Sequence, residues 1–137
     1  MIIGYTTGVF DMFHVGHLNI LKNAKAHCDY LIVGVSTDEL VQHEKNKLPI
    51  IPFEDRCAIV SAIKFVDQVV PQTDKDKFAA WKKYGFHKMF VGSDWKGTPQ
   101  WDAYEKQFSP VGVEIVFFDH TDGISSTILR EKFLKEK

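Results

Sequence analysis

Strands and helices alternate along the whole chain, which predicts an α/β fold: a doubly wound parallel five-stranded sheet with helices on both faces. Three observations carry this expectation. Residues 30–35 (YLIVGV) form one continuous apolar run, as expected of a strand covered on both sides. Segments of helical periodicity separate this run from four other β-prone stretches. Each unusual polar cluster follows a predicted strand, and ligands of such sheets bind beyond the carboxyl ends of the strands.

In order, residues 2–6 are a short β-prone run, followed by a Gly-containing loop and a helix with Leu18, Leu21 and Ala24 on one face and Ile20 beside it. After the 30–35 strand, Ser36, Thr37 and Asp38 supply N-cap chemistry for a short helix. Pro49 and Pro52 keep residues 45–53 out of regular helix. A helix is expected over 54–64 with Cys57, Val60, Ile63 and Ile59 inward, then a strand over 65–70 ended by Pro71. Residues 75–84 read as helix stopped by Gly85, and 88–91 as the fourth strand. Pro99 opens a helix to about 108, residues 113–118 are the fifth strand, and Ser125 or Ser126 opens a last helix.

The 137 residues suit one domain, 1–137, with no repeat or linker. A formal net charge of −1 argues against a broad basic surface, so nucleic acid is not an expected partner. Cys28 and Cys57 lack disulfide or zinc spacing and read as buried free thiols of a reducing compartment. Asp11 and His14 interrupt the first apolar run, so no signal peptide is expected. No stretch approaches the roughly 20 apolar residues of a membrane span. The expectation is a cytoplasmic protein.

The strongest chemical signal is residues 8–17, GVFDMFHVGH. Gly8 permits a tight turn after the first strand. His14 and His17, three apart, share a face at the start of the first helix. Gly16 lets a phosphate approach the backbone, and the helix end offers free N–H groups. Two imidazoles there can donate to a triphosphate and to charge that grows during phosphoryl transfer. Asp11 is either a helix cap or a ligand for magnesium, and the sequence leaves both open.

The second signal follows the last strand: Asp122, Gly123, Ile124, Ser125, Ser126 and Thr127, hydroxyls at a helix start that make another phosphate cradle. Lys45, Lys47 and Arg56 are a third group, able to close cations over phosphates from a hinged loop. Gly92, Asp94 and Trp95 follow the fourth strand, where they can face a base or an acceptor. No nucleophile has a base beside it, so direct attack of an acceptor phosphate on the α-phosphorus is expected.

Together, GVFDMFHVGH (8–17), DYLIVGVSTDE (29–39), EDR (54–56), VDQVVP (66–71), VGSDW (91–95) and HTDGISST (120–127) resemble the cytidylyltransferase branch of the HxGH nucleotidyltransferases, the glycerol-3-phosphate cytidylyltransferases in particular. The resemblance covers essentially the whole chain. It implies a Rossmann-like homodimer that uses CTP and magnesium. It implies His14 and His17 as the catalytic pair, with Lys45 and Arg56 beside them. Gly8, Val9, Phe10, Asp11, Gly16, Lys47, Gly92, Asp94, Trp95, His120, Thr121, Gly123, Ile124, Ser125, Ser126 and Thr127 are implied to line the nucleotide site.

Two departures stand out. His120 replaces the arginine that usually opens the last signature, and a neutral imidazole lacks the guanidinium's fork and fixed charge. Arg130 is a substitute for it. Val9 stands where glycerol-phosphate members often carry threonine. The leading expectation is CMP transfer from CTP to glycerol 3-phosphate. The alternatives are another polyol phosphate, phosphocholine or phosphoethanolamine as acceptor, or adenylyl transfer to FMN or a sugar phosphate. A non-catalytic nucleotide-binding module is a third class. An aromatic cage for choline would have to come from Trp81, Trp95, Trp101 and Tyr104.

Overall fold

The structure, a computed structural model, describes residues 1–118. Its elements run β1 (Ile3–Gly8), α1 (Val15–Ala26), β2 (Tyr30–Ser36), α2 (Asp38–Lys45), α3 (Phe53–Ser61), β3 (Gln68–Gln72), α4 (Lys77–Tyr84), β4 (Lys88–Gly92), α5 (Pro99–Phe108) and β5 (Glu114–Phe118). Short 3₁₀ turns, Ser93–Trp95 and Ser109–Val111, flank α5. The last predicted helix lies outside the described residues.

The five strands are all parallel, in the order β3-β2-β1-β4-β5. The chain winds outward from β1 to β3, then crosses back to place β4 on the other side of β1. The switch point therefore lies between β1 and β4, and their carboxyl ends open the crevice where a ligand is expected. Tyr30 to Ser36 alternate between two cores, because side chains on a strand point to opposite faces. Leu31, Val33 and Val35 pack with Leu21, Ala24, Val60 and Phe90 on the α1/α3 face. Ile32 packs with Tyr5, Val70, Phe86, Met89, Trp101 and Phe108 on the α4/α5 face. Gly34 is required on that face: a Cβ there would lie 2.9 Å from the Tyr5 hydroxyl and 3.0 Å from Thr7 Cγ2.

Several local expectations need correction. Pro71 lies inside β3, paired with Val35, rather than ending the strand. This is tolerable because β3 is an edge strand, where a missing N–H breaks no central ladder. Helix α3 stops at Ser61, and Ile59 is 40% exposed because α3 turns Arg56 and Val60 inward instead. Ile63 still packs on the core from beyond the helix. Cys28 and Cys57 are half-buried rather than buried, and desolvation raises both thiol pKa values, so neither is an activated thiolate. The described residues contain no helix long and apolar enough to cross a membrane.

Candidate active site at the switch point

The loop leaving β1 carries the backbone strain. Phe10 and Met12 both adopt positive φ, 54° and 49°, whereas Gly8 does not. The turn is thus made by two bulky residues in the left-handed region, at a cost of order 1–3 kcal/mol each. Gly8 serves close approach: a Cβ on it would sit 3.0 Å from the Phe10 ring. Phe10 is buried and, with Phe13, walls the His17 imidazole at centroid distances of 5.4 and 5.3 Å.

His14, and not Asp11, is the N-cap of α1. The Gly16 N–H donates to His14 Nδ1 at 3.0 Å, and the His14 N–H donates to His17 Nδ1 at 3.3 Å. This is a capping box built from two histidines, reciprocal in the way a Ser…Glu box is. The rings stack with centroids 3.9 Å apart. Because each Nδ1 accepts, each neutral ring carries its proton on Nε2, facing away from the cap. Desolvation lowers both pKa values, and His17, further depressed by its neighbour His14, falls to about 4. The pair is neutral at pH 7. Among the described residues His14 Nε2 is the one buried side-chain nitrogen or oxygen without a hydrogen-bond partner. A buried donor left unpaired costs about 1–3 kcal/mol, which an anionic ligand would recover.

Arg56 is fully buried, and its guanidinium faces inward. Nε donates to Ile51 O at 2.9 Å, and Nη1 donates to Val9 O at 2.8 Å and Ser36 O at 2.7 Å. Nη2 meets Asp38 Oδ1 at 2.6 Å. Four of its five N–H groups are therefore committed to the protein, which makes it a brace between loops in this conformation. Asp11 accepts from Ile50 N at 2.9 Å and from Ile51 N at 2.8 Å. Lys45 ends α2 and Lys47 lies in the following loop, both exposed and neither in a hydrogen bond or ion pair among the described residues. Gly92 ends β4, and Asp94 and the 48%-exposed Trp95 occupy the turn after it, on the far lip of the crevice. Val9 bears on the site through its carbonyl, and Gly16 is buried in the first turn of α1. His120, Thr121, Gly123, Ile124, Ser125, Ser126 and Thr127 lie outside the described residues, as does Arg130.

One cation was missed. Lys77, at the first position of α4, is 8% exposed and donates to Thr7 Oγ1 at 2.8 Å. Desolvation, with Lys75 nearby, lowers its pKa to about 8. It lines a cavity of about 150 Å³ with Tyr5, Gln72, Asp74, Lys83 and Tyr84. The histidines do not line this cavity; Thr7, next to Gly8, connects the two. Lys77 was legible only as a helical residue, although its place just after the third strand is a signal of the same kind as the others.

Of the four aromatics suggested for a choline cage, Trp81, Trp101 and Tyr104 pack in one core cluster and Trp95 lies apart. Trp101 is buried in the core with Tyr104 against it, Trp81 packs on Phe78, and Trp95 is exposed after β4. No group of three His, Cys, Asp or Glu residues among the described ones can hold a metal ion.

A family model described as cytidylyltransferase-like matches residues 5–132. The chain belongs to the cytidylyltransferase-like family. It is 36% identical over 127 residues to a glycerol-3-phosphate cytidylyltransferase of Bacillus spizizenii, covering 92% of each chain. It is 34% identical to the Bacillus subtilis protein of the same name, covering 93% of each. An FAD synthase of Pyrococcus abyssi is 52% identical, but only over 46% of this chain and 43% of its own. Among solved structures, a lipopolysaccharide core biosynthesis protein from Thermoplasma volcanium superposes with a TM-score of 0.72 at 26% identity, covering 88% of this chain and 97% of its own. As a cytidylyltransferase-like protein the chain is a nucleotidyltransferase, and the expected α/β parallel sheet is the family's fold.

Proposed function

We propose that the chain transfers CMP from CTP to a small phosphorylated alcohol, with glycerol 3-phosphate as the acceptor and CDP-glycerol and pyrophosphate as products. The observation that carries the chemistry is the neutral histidine pair at the start of α1: each Nδ1 is taken up by the helix cap, and His14 Nε2 is buried without a partner. An acceptor phosphate oxygen attacks the α-phosphorus, the new P–O bond forms, and the bond to the pyrophosphate oxygen breaks. Two fixed N–H donors stabilise the charge that builds on the phosphoryl oxygens without themselves changing protonation. Lys77 beside Thr7 supplies a cation for the acceptor's phosphate, in a cavity lined by hydroxyl, amide and carboxylate groups that suit a polyol. Lys45 and Lys47 approach the triphosphate from their loop.

Magnesium would enter this reading as the companion of CTP and would neutralise charge on its phosphates. Glycerol 3-phosphate is favoured over choline phosphate because Trp81, Trp101 and Tyr104 are taken up in core packing, and over adenylyl acceptors because the glycerol-phosphate relative matches over 92% of the chain and the FAD synthase over 46%. A homodimer in the cytoplasm completes the proposal, and sedimentation equilibrium would test the dimer. The deciding experiment is pyrophosphate release with magnesium, crossing CTP and ATP against glycerol 3-phosphate, phosphocholine, phosphoethanolamine, ribitol 5-phosphate and FMN. Turnover with CTP and glycerol 3-phosphate is expected. A preference for ATP would move the chain to adenylyl transfer, and turnover with none of the pairs would leave only a nucleotide-binding module.

A further inference from the structure

Residues 46–53 form a strap that leaves α2 at its C-cap Asn46, in the left-handed region at φ 56°, and returns to the first residue of the same helix. The return is made by the Phe53 N–H, which donates to Asp38 Oδ2 at 3.3 Å. Asp11 holds two successive strap amides, Ile50 N and Ile51 N, one on each carboxylate oxygen. Arg56 takes the Ile51 carbonyl that follows them, then spans to Val9 O in the β1 loop, Ser36 O at the end of β2, and Asp38. Three segments distant in sequence thus meet on two side chains, and hydrogen bonds to charged groups are the strong ones. Phe53 packs on the core at the end of the strap, whereas Leu48 and Ile50, exposed at 62% and 54%, contribute little packing, so these polar bonds hold its middle.

We propose that Asp11 and Arg56 are positioning residues that fasten the strap to the β1 loop and thereby set the reach of Lys45 and Lys47. Arg56 acts from inside the protein, and Asp11 acts on strap amides rather than as a magnesium ligand. The fastening stands on these contacts alone; its consequence for CTP rests on the proposed function.

Trypsin tests it directly, because Lys45, at the end of α2, and Lys47, in the strap, are cleavage sites where the strap leaves the helix, while Lys88 in β4 reports global unfolding. Initial cleavage rates would be followed by mass spectrometry for the wild type, Asp11→Ala, Asp11→Asn and Arg56→Lys. Loss of both strap bonds in Asp11→Ala should speed cleavage at Lys45 and Lys47 about tenfold relative to Lys88. Asp11→Asn, which keeps one acceptor, should fall between the two. The KM for CTP should rise in step with the cleavage rate, less in Asp11→Asn than in Asp11→Ala. Unchanged cleavage in Asp11→Ala overturns the fastening, most plainly if its magnesium requirement rises instead. Faster cleavage with an unchanged KM overturns the positioning role. If the wild type turns over no CTP, the proposed function fails while cleavage still decides the fastening.

Discussion

The imidazoles of His14 and His17 stack at 3.9 Å and complete each other's end of one capping box. The arrangement does two things at once. It satisfies two orphan N–H groups at the start of α1, and it fixes both rings in the tautomer that presents Nε2–H outward. Stability and chemistry therefore depend on the same protonation state.

That coupling gives a pH dependence with a defined sign. The folded-state pKa of His17 is depressed to about 4, below the unfolded value of about 6.5. Between these values the unfolded chain binds more protons, so stability contributed by the neutral ring is present above pH 6.5 and is lost as pH falls toward 4. The ring keeps some solvent contact, which limits the effect to about 2 kcal/mol. His17→Gln preserves the capping box, since Gln fits that position, but cannot titrate. Urea unfolding at pH 7.5 and 4.5 should show a smaller acid loss in His17→Gln than in the wild type. Equal losses would remove His17 from the explanation.

The proposed catalytic role has its own readout. Replacing either histidine by Ala removes one donor to developing charge and should cost about 2.7–4 kcal/mol of barrier, read as a fall in kcat at saturating substrates. Circular dichroism melts would establish that the variants are folded. Rates within a few-fold of wild type in either variant would defeat the two-donor mechanism.

Arg56 makes a prediction about stability. Its side chain is fully buried, and Arg56→Ala would take the guanidinium away from three carbonyls and from Oδ1 of the half-buried Asp38. Removing one partner of a buried charge pair costs about 3–5 kcal/mol, a large share of a typical domain's stability. The urea midpoint of Arg56→Ala should drop accordingly. A loss below about 1 kcal/mol would mean that the guanidinium does not brace the loops.

The contrast between Arg56 and the histidines shows what a sequence can disclose. His14, Gly16 and His17 lie within one helical turn, so spacing alone brought them together. Gly85, in the left-handed region at the end of α4, and Pro99, at the start of α5, were legible for the same reason: their conformational demands are local. Arg56 lies on the expected helix, but its bracing contacts were not legible, because its partners lie 5, 20, 47 and 18 residues away and follow no period. Pro71 misled in another way. Its effect depends on whether a strand is central or at an edge, which only the strand order decides. Lys77 escaped notice because burial of a charged residue at a helix start depends on what the sheet places beneath it.

Lys77 yields the last prediction. Its ammonium, with a pKa of about 8 and a bond to Thr7, is charged at neutral pH and discharges as pH rises through about 8. The acceptor's phosphate is already fully ionised there, since its second pKa is about 6. For the free enzyme, kcat/KM for glycerol 3-phosphate should therefore fall above about pH 8, while kcat/KM for CTP changes less. Lys77→Gln should abolish that alkaline limb. It should also raise the KM for the acceptor at pH 7.5 by tenfold or more, as expected for a lost charge-assisted hydrogen bond of about 1.5–3 kcal/mol. A steady-state profile from pH 6.5 to 9.5, with each substrate varied in turn, makes the comparison. If the acceptor profile is flat, or if Lys77→Gln weakens both substrates alike, Lys77 serves the fold through Thr7 and another group must hold the acceptor's phosphate.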